Sequence, residues 1–339
     1  MLRTVRVAAG TLLAAGLLAA CGKGTPITSG SPTPSPTNPP AVTSEYPIGV
    51  PNSQPVGLAL DSRGALGSIW FTEYHVSQIG QLDQTATVTS TPTPTQNSAP
   101  VGIASGPNGL LWFAESKTAR IGQIALSNSG FTEFQLGNPK ATPMRITLGS
   151  DGNMWATDPG TDSIWRINQV GAASQFPVHP GAKPFGITNG PDGALWFTEP
   201  GRNKIGRLTI DGTSYTEYAV NSPNSSLAFI IEGSDNALWF TEQHADKLGR
   251  MQVSGQVTNE FSLKPATSAY GLVQGIDGNF YFSDPAASTI GQFVTSTTKV
   301  KTFPTKTASA KPTDMTLGPD EEVYFTETAA DKLGQFKYF

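Results

Sequence analysis

Cysteine and histidine are scarce in this chain. Among 339 residues there is one cysteine, Cys21, and there are three histidines, His75, His179 and His244. A single cysteine excludes an internal disulfide framework, and the three histidines have no spacing that is typical of a metal site. The chain also lacks a block of basic residues, since its 22 Lys and Arg are spread among 26 Asp and Glu. This charge pattern gives no electrostatic footprint for nucleic acid, and we expect none as a partner.

Glycine and proline, by contrast, are abundant, with 36 and 27 residues, and a short aromatic segment recurs seven times. Each copy begins with Trp or Tyr and ends with Glu or Asp: Trp70–Glu73, Trp112–Glu115, Trp155–Asp158, Trp196–Glu199, Trp239–Glu242, Tyr281–Asp284 and Tyr324–Glu327. From aromatic to aromatic the spacing is 42, 43, 41, 43, 42 and 43 residues. A period in the low forties with Gly-rich turns indicates one propeller blade per repeat. The sequence therefore predicts an all-β, seven-bladed β-propeller over residues 44–339.

One repeat, residues 184–220, shows how a blade is built. Four short apolar or alternating segments are separated by turns such as Asn189-Gly190-Pro191-Asp192-Gly193, which predicts a four-stranded meander. The seventh repeat stops after its third strand, and residues 44–49 resemble the outer strands of the other repeats. We therefore predict that residues 44–49 complete the last blade and close the ring, because an unpaired edge would otherwise remain.

The first 43 residues predict a signal peptide followed by a tether. Arg3 and Arg6 precede an apolar run from Ala8 to Ala20, and this pattern is typical of a signal peptide over residues 1–20. The run ends in Leu-Ala-Ala-Cys-Gly, which resembles a bacterial lipobox and implies cleavage before Cys21 and lipidation of its thiol. Residues 21–43 are rich in Pro, Ser and Thr and lack the apolar residues of a core, so we expect an extended spacer. The mature protein is expected to be exported and anchored in a membrane of the cell envelope.

The repeats resemble the virginiamycin B lyase (streptogramin lyase) family. The combined pattern is Pro-x-Gly-Ile, then Gly-Pro-Asp-Gly-x-Leu-Trp-Phe-Thr-Glu, then Lys-Ile-Gly-Arg, and it is plainest at 184–208 and 227–250. The resemblance implies a Mg²⁺-assisted elimination that opens a cyclic depsipeptide antibiotic, so Mg²⁺ is a cofactor by resemblance only. It also implies catalytic histidines at the second position of the Pro-x-Gly-Ile strand, and a catalytic Glu at the end of a Trp-Phe-Thr-Glu strand.

The chain departs from that pattern at the expected histidine positions. None of the seven is His; they are Val56, Val101, Met144, Phe185, Ala228, Tyr270 and Thr313. The Glu positions survive, for example as Glu199 and Glu242, while the three actual histidines fall in loops or beyond an outer strand. We therefore expect that the lyase mechanism does not transfer, and we assign no catalytic residue.

The acid that ends the second strand occurs in all seven repeats, which favours a structural role, because a binding site on a ring must break its symmetry. In four repeats a base follows five residues later, and we predict ion pairs there: Glu115 with Arg120, Glu199 with Lys204, Glu242 with Lys247 and Glu327 with Lys332. The other three acids, Glu73, Asp158 and Asp284, have Gln, Ser or Thr at that position. These three carboxylates are candidates for binding a cation or a polar ligand.

Other residues that differ from the sevenfold repeat lie where the first strand of a blade begins, around the expected central channel. Arg145, Phe229 and Asp314 replace the Gly of other repeats, and Phe185 and Tyr270 stand one position earlier in theirs. Arg145 and Asp314 belong to the third and seventh repeats, so they can face each other across the channel. Two interpretations stay open: a plug made of one ion pair and aromatic filler, or a small-molecule pocket with an apolar wall and a few polar groups.

Three classes of function follow from these residues. The leading hypothesis is that a monomer binds a small molecule or peptide at the mouth of the channel. The enzyme alternative is a lyase or hydrolase that uses Glu73, Asp158 or Asp284 with a divalent cation. The third is a protein-interaction platform that binds partners at its rim and does not use Arg145 and Asp314.

Overall fold

The computed structural model describes residues 39–61, 67–126 and 130–338. The predicted signal peptide, Cys21 and the tether as far as residue 38 lie outside the described residues. Pro39–Phe339 forms one compact unit. Within the described part of the chain, no helix is both long enough and apolar enough to cross a membrane.

The prediction of seven four-stranded blades is confirmed. The described residues contain twenty-eight strands in seven antiparallel sheets, and a single 3₁₀ turn at Pro107–Gly109 is the described helical element. The first strand, β1 (Ala41–Pro47), is the outer strand of the last blade. Numbered in chain order, the blades contain β2 (Pro55–Leu60), β3 (Ile69–Glu73), β4 (Gln78–Leu82) and β5 (Val88–Pro92); β6 (Pro100–Ser105), β7 (Leu110–Glu115), β8 (Arg120–Ala125) and β9 (Phe131–Gln135); β10 (Ile146–Leu148), β11 (Met154–Asp158), β12 (Ser163–Ile167) and β13 (Ala173–Pro177); β14 (Ile187–Asn189), β15 (Leu195–Glu199), β16 (Lys204–Leu208) and β17 (Tyr215–Ala219); β18 (Leu227–Glu232), β19 (Leu238–Glu242), β20 (Lys247–Met251) and β21 (Val257–Ser262); β22 (Leu272–Gln274), β23 (Phe280–Asp284), β24 (Thr289–Val294) and β25 (Lys299–Pro304); and β26 (Pro312–Leu317), β27 (Val323–Glu327) and β28 (Lys332–Lys337).

The ring closes as predicted, through the N-terminal strand. β1 pairs antiparallel with β28, and Glu45 lies opposite Gly334. The strand covers Ala41–Pro47 rather than 44–49, so it begins three residues earlier than predicted. The reason is Val42, which is buried against Phe336 in the core of the last blade. Composition alone places that segment in the tether, but one apolar residue with a partner is enough to extend the strand.

The aromatic second strands build the cores between and within blades. Trp196 is fully buried and packs with Leu227 and Phe240 of the next blade, so each ring removes a large apolar area from water. Phe197 lies over Gly206 of the third strand, where an added Cβ would meet the ring at 2.3 Å. This contact explains why the third strand carries glycine in most repeats.

A buried hydroxyl fastens each inner strand to the next blade. Thr198 Oγ1 accepts the N–H of Gly186 at 2.8 Å and donates to the carbonyl of Ala228 in the following blade at 2.8 Å. Six blades use a hydroxyl in this way: Thr72, Thr157, Thr198, Thr241, Ser283 and Thr326. In the second blade Ala114 stands at this position, and the N–H of Gly102 donates directly to the carbonyl of Met144 at 2.8 Å. The first strands therefore form a continuous inner ring around the axis.

Candidate functional site

Arg145 and Asp314 form an ion pair at the inner ring. Asp314 lies in β26 of the seventh blade, and Arg145 directly precedes β10 of the third. Arg145 Nη1 is 2.5 Å from Asp314 Oδ2, and the two side chains are only 8% and 7% exposed. Asp314 also accepts the N–H of Leu58, in the first blade, at 3.1 Å and that of Met315 at 2.9 Å. The pair therefore joins three blades across the axis.

The guanidinium of Arg145 has unused hydrogen-bonding capacity. Its Nε and Nη2 are buried and make no hydrogen bond of good geometry within the described residues, with the hydroxyl of Tyr270 as the nearby polar group. The carboxylate of Asp314, in contrast, accepts hydrogen bonds from three groups. Buried donors in native proteins nearly always have an acceptor, so these two nitrogens distinguish Arg145 as a candidate for binding a ligand.

Three aromatic side chains cover the guanidinium. Its central carbon lies 4.1 Å from the ring centre of Phe229 and 5.3 Å from that of Phe185, distances at which the ring faces stabilise a cation. Tyr270 packs against both rings, with centroids 5.3 Å from Phe229 and 6.0 Å from Phe185. The structure thus brings together Arg145, Asp314, Phe185, Phe229 and Tyr270, the five channel candidates from the sequence.

The guanidinium of Arg145 and the phenol of Tyr270 both keep their protons near neutral pH. Burial acts to lower the pKa of Arg145, but the neighbouring Asp314 charge outweighs it and the pKa is raised. Burial raises the pKa of Tyr270, against an opposing effect of Arg145. The site therefore presents one internal ion pair, one neutral phenol and two apolar rings.

A cavity of about 170 Å³ adjoins the ion pair. Besides Arg145, Asp314 and Phe229, its wall consists mainly of apolar residues that follow the pair along the inner strands, including Leu58, Ile103, Ile146, Ile187, Ile230 and Leu272. Both interpretations from the sequence therefore describe part of the site. The ion pair and the packed rings close the channel at the start of the inner strands, and the cavity lies next to them, further along those strands.

The candidate acids Glu73, Asp158 and Asp284 lie in three different blades, and each is fully buried. Asp158 accepts the N–H of Thr142 at 2.8 Å and Trp165 Nε1–H at 2.9 Å, both in its own blade. The structure therefore does not bring these acids together or join them to the Arg145–Asp314 pair.

Asp284 is held in the same way as Asp158. It accepts backbone N–H groups from Thr267 at 2.7 Å, Ala286 at 3.1 Å and Ala287 at 3.0 Å. Glu73 makes no hydrogen bond within the described residues, and burial raises its pKa.

The residues present do not fit the Mg²⁺ that the family resemblance implies. A Mg²⁺ site needs several oxygen ligands around one point. Within residues 39–61, 67–126 and 130–338, no group of three or more His, Cys, Asp or Glu side chains is placed to hold a metal ion. The oxygens of Asp158 and Asp284 are already occupied by N–H donors, and we assign no step to a metal.

The predicted ion pairs between the second and third strands of a blade are wrong. The lysines reach outward instead: Lys204 pairs with Glu217, Lys247 with Glu260 at 3.3 Å, and Lys332 with Glu45 at 2.7 Å, all on outer strands. No ion pair of Glu115 with Arg120 occurs in the described structure either. The second-strand acids stay buried beside those outer carboxylates. Burial, with the neighbouring carboxylate, raises the pKa of Glu115, Glu199 and Glu327 to about 8 and that of Glu242 to about 7.

The three histidines lie on loops. His75 and His244 follow the second strand of the first and fifth blades and are exposed. His179 is 54% exposed on its side chain, and its Nδ1 lies 2.8 Å from Glu217 Oε1. Of the seven strand-one positions, Phe185 and Tyr270 contribute their rings to the cluster over Arg145.

Comparison with known proteins identifies the relatives of this chain. The profile of the Virginiamycin B lyase family matches residues 37–214 and 180–338. Selenomethionine-substituted virginiamycin B lyase from Staphylococcus aureus superposes with a TM-score of 0.82 at 28% identity, covering 87% of this chain and 99% of that one. A streptogramin B lyase gives 0.82 at 29% identity, covering 87% and 97%.

A further similar structure is a catalytically inactive His-to-Ala variant of the Staphylococcus aureus enzyme with quinupristin, again with a TM-score of 0.82 at 28% identity over 87% and 99% of the two chains. No curated protein sequence matches the chain. The profile match covers nearly all of the propeller, and the solved lyases share its whole ring. The chain belongs to the virginiamycin B lyase family.

Proposed function

We propose that this protein binds a small molecule or peptide in its central channel, around Arg145 and Asp314, without the elimination chemistry of its relatives. The observation that carries the proposal is the pair of buried nitrogens of Arg145, Nε and Nη2, that lack an acceptor of good geometry. The carbonyl or carboxylate oxygen of a ligand would supply that acceptor, and the planar guanidinium fork favours such groups.

The surroundings of Arg145 suit a ligand with an apolar body. Phe185, Phe229 and Tyr270 offer ring faces, and the adjoining cavity has an aliphatic wall. Binding sites for small molecules combine such walls with a few polar groups. Because the rings cover the guanidinium, a ligand reaches it when Phe185 or Tyr270 rotates. Both side chains are partly exposed, so solvent space is available for that rotation.

Absence of the family's catalytic histidine supports binding over catalysis. The relative described as catalytically inactive differs from its parent by loss of one histidine. Here the seven strand-one positions hold no histidine. The phenol of Tyr270 is no substitute, because its raised pKa makes it a poor general base at neutral pH.

We also propose that the propeller is held outside the cytoplasm through a lipid on Cys21. The support is the signal-like segment before Cys21 and the Pro-rich stretch after it. At about 3.1 Å per residue, an extended tether of that length would place the ring tens of ångströms from the membrane.

Turnover is tested with residues 39–339, a fragment that retains the whole of β1. The fragment is incubated with quinupristin and Mg²⁺, beside the Staphylococcus aureus lyase as an active control. Elimination leaves the mass unchanged, so chromatographic retention is the readout. We expect unchanged quinupristin, and linearisation would contradict the proposal.

Binding is tested with a panel of benzoate, benzamide and quinupristin by ligand-observed NMR. The comparison variant carries Arg145→Met and Asp314→Leu together, because replacing a buried ion pair by apolar side chains tends to preserve stability. We expect at least one probe to bind the wild-type protein and to lose binding in the double variant. Equal signals from both proteins with every probe would overturn the channel site.

A further inference from the structure

A second cavity, of about 230 Å³, lies at the junction of the last and first blades. Its walls include the rings of Tyr46 and Tyr324 and the side chains of Ile69 and Leu82, with Asp320 also in the lining. It shares no described lining residue with the channel cavity. It is therefore a separate site, and two local features account for it.

The first feature is Ala86, in the turn between the third and fourth strands of the first blade. In the third to fifth blades this turn position is a glycine with positive φ, and the ring of the preceding blade's outer strand lies against it. An added Cβ would lie 1.8 to 2.0 Å from that ring; the glycine and ring pairs are Gly171 with Phe134, Gly212 with Phe176, and Gly255 with Tyr218. Ala86 makes the same turn hydrogen bond, to the carbonyl of Asp83. Its methyl group excludes the close approach, so the turn and Tyr46 stay apart.

The second feature is a turn carboxylate that no arginine of its own blade neutralises. In the fourth blade Arg207 pairs with Asp192 at 2.7 Å and lies 5.8 Å over the ring of Trp196. The fifth blade repeats the arrangement, with Arg250 at 2.7 Å from Asp235 and 5.9 Å from the ring of Trp239. These two blades thus neutralise the turn carboxylate with a guanidinium stacked on the aromatic residue opposite.

The sixth and last blades have the carboxylate and the ring without the arginine. In the sixth blade, where Asp277, Tyr281 and Gln292 hold these positions, the ring of Tyr338 packs on Tyr281 with centroids 4.6 Å apart. In the last blade a cavity lies there instead. Asp320 occupies the turn position, Tyr324 the aromatic position, and Gln335 is the residue paired opposite Tyr324. Gln335 donates to Asp320 at 2.8 Å and Tyr324 O–H donates to it at 3.0 Å. Neither group carries charge, and Asp83 adds a second carboxylate to the lining. Among the described lining residues there is no Lys, Arg or His.

We propose that this cavity binds a small organic ammonium ion. The ammonium takes the place beside Asp320 and over Tyr324 that Arg207 and Arg250 fill in their own blades, and the apolar body lies between Tyr46 and the aliphatic floor. A cation beside a carboxylate and an aromatic face gains from both. The volume suits an ion with one ring or a short alkyl chain.

Three soluble probes of similar shape test the charge preference: 2-phenylethylammonium, 2-phenylethanol and phenylacetate. Protein-observed NMR titration of residues 39–339 gives each dissociation constant. We expect the ammonium to bind about tenfold more tightly than the alcohol, which corresponds to about 1.4 kcal/mol, and the carboxylate to bind most weakly. Equal affinities, or a preference for phenylacetate, would overturn the proposal.

Variants locate the site. Gln335→Arg supplies the internal cation of the fourth and fifth blades and should abolish ammonium binding. Gln123→Arg, at the matching position of the second blade, adds the same charge elsewhere and should leave binding unchanged. Asp320→Asn provides a second test that adds no bulk, and it should remove the preference for the ammonium over the alcohol. Retention of that preference in both Gln335→Arg and Asp320→Asn would refute the site.

Discussion

Replacing Thr198 by valine tests the hydroxyl that joins the inner strands. Valine has nearly the shape of threonine, so Thr198→Val removes the hydroxyl and leaves the packing in place. The N–H of Gly186 and the carbonyl of Ala228 both lose their partner, and Thr198 is fully buried. An unsatisfied buried group costs about 1–3 kcal/mol. We expect the free energy of unfolding to fall by about 2–4 kcal/mol in total, and the melting temperature by about 3–6 °C.

The matched control is Thr198→Ser, which keeps the hydroxyl and removes only a methyl group. Thermal unfolding followed by circular dichroism compares the two variants with the wild-type protein, and amide exchange of Gly186 reports the local effect. We expect faster exchange of Gly186 in the valine variant alone. A valine variant within about 0.5 kcal/mol of wild type, or a serine variant equally damaged, would refute the reasoning.

Three further predictions concern closure, pH and the anchor. A chain that begins at residue 48 lacks β1, exposes the edge of β28, and should melt at a lower temperature and form oligomers in light scattering; a monomer of unchanged melting temperature would contradict this. Burial raises the pKa of Glu327 from 4.5 to about 8, so its contribution to stability is fully present below the ordinary pKa, falls as the pH rises between these two values, and is lost above about 8. In urea unfolding at pH 5 to 9, Glu327→Gln should lose less stability over this interval, and an unchanged slope would argue against it. Cys21→Ser should move the full-length protein from the membrane fraction to the soluble fraction, and continued membrane retention would exclude the lipid anchor.

The fold was predictable because its determinants repeat. An aromatic pair, a small residue and an acid recur at each blade, and each has a separate structural role that a single copy would not reveal. The closing strand was predictable from its likeness to other outer strands, but its first residues were not. By composition Val42 belongs to the polar tether, and only its contact with Phe336 shows that it is part of the strand.

The channel residues could be named because they break the symmetry, and Arg145 and Asp314 indeed meet. The partners of the lysines could not be predicted from spacing, because the side chain of Lys204 points to the outer strand and reaches Glu217 rather than Glu199. The role of Asp158 was also hidden. It depends on Trp165, which fills the space that a phenylalanine fills in other blades and donates to that carboxylate.

The most direct test of the central claim is the NMR signal of the Nε–H group of Arg145. The Arg145→Met, Asp314→Leu variant assigns the signal by its loss, and benzoate and benzamide serve as ligands for residues 39–339. The account predicts that a probe which binds the wild-type protein shifts this signal downfield, as a new acceptor joins the N–H group. A probe that binds while the signal of Arg145 stays unchanged would show that the channel arginine is a structural plug and that the binding site lies elsewhere.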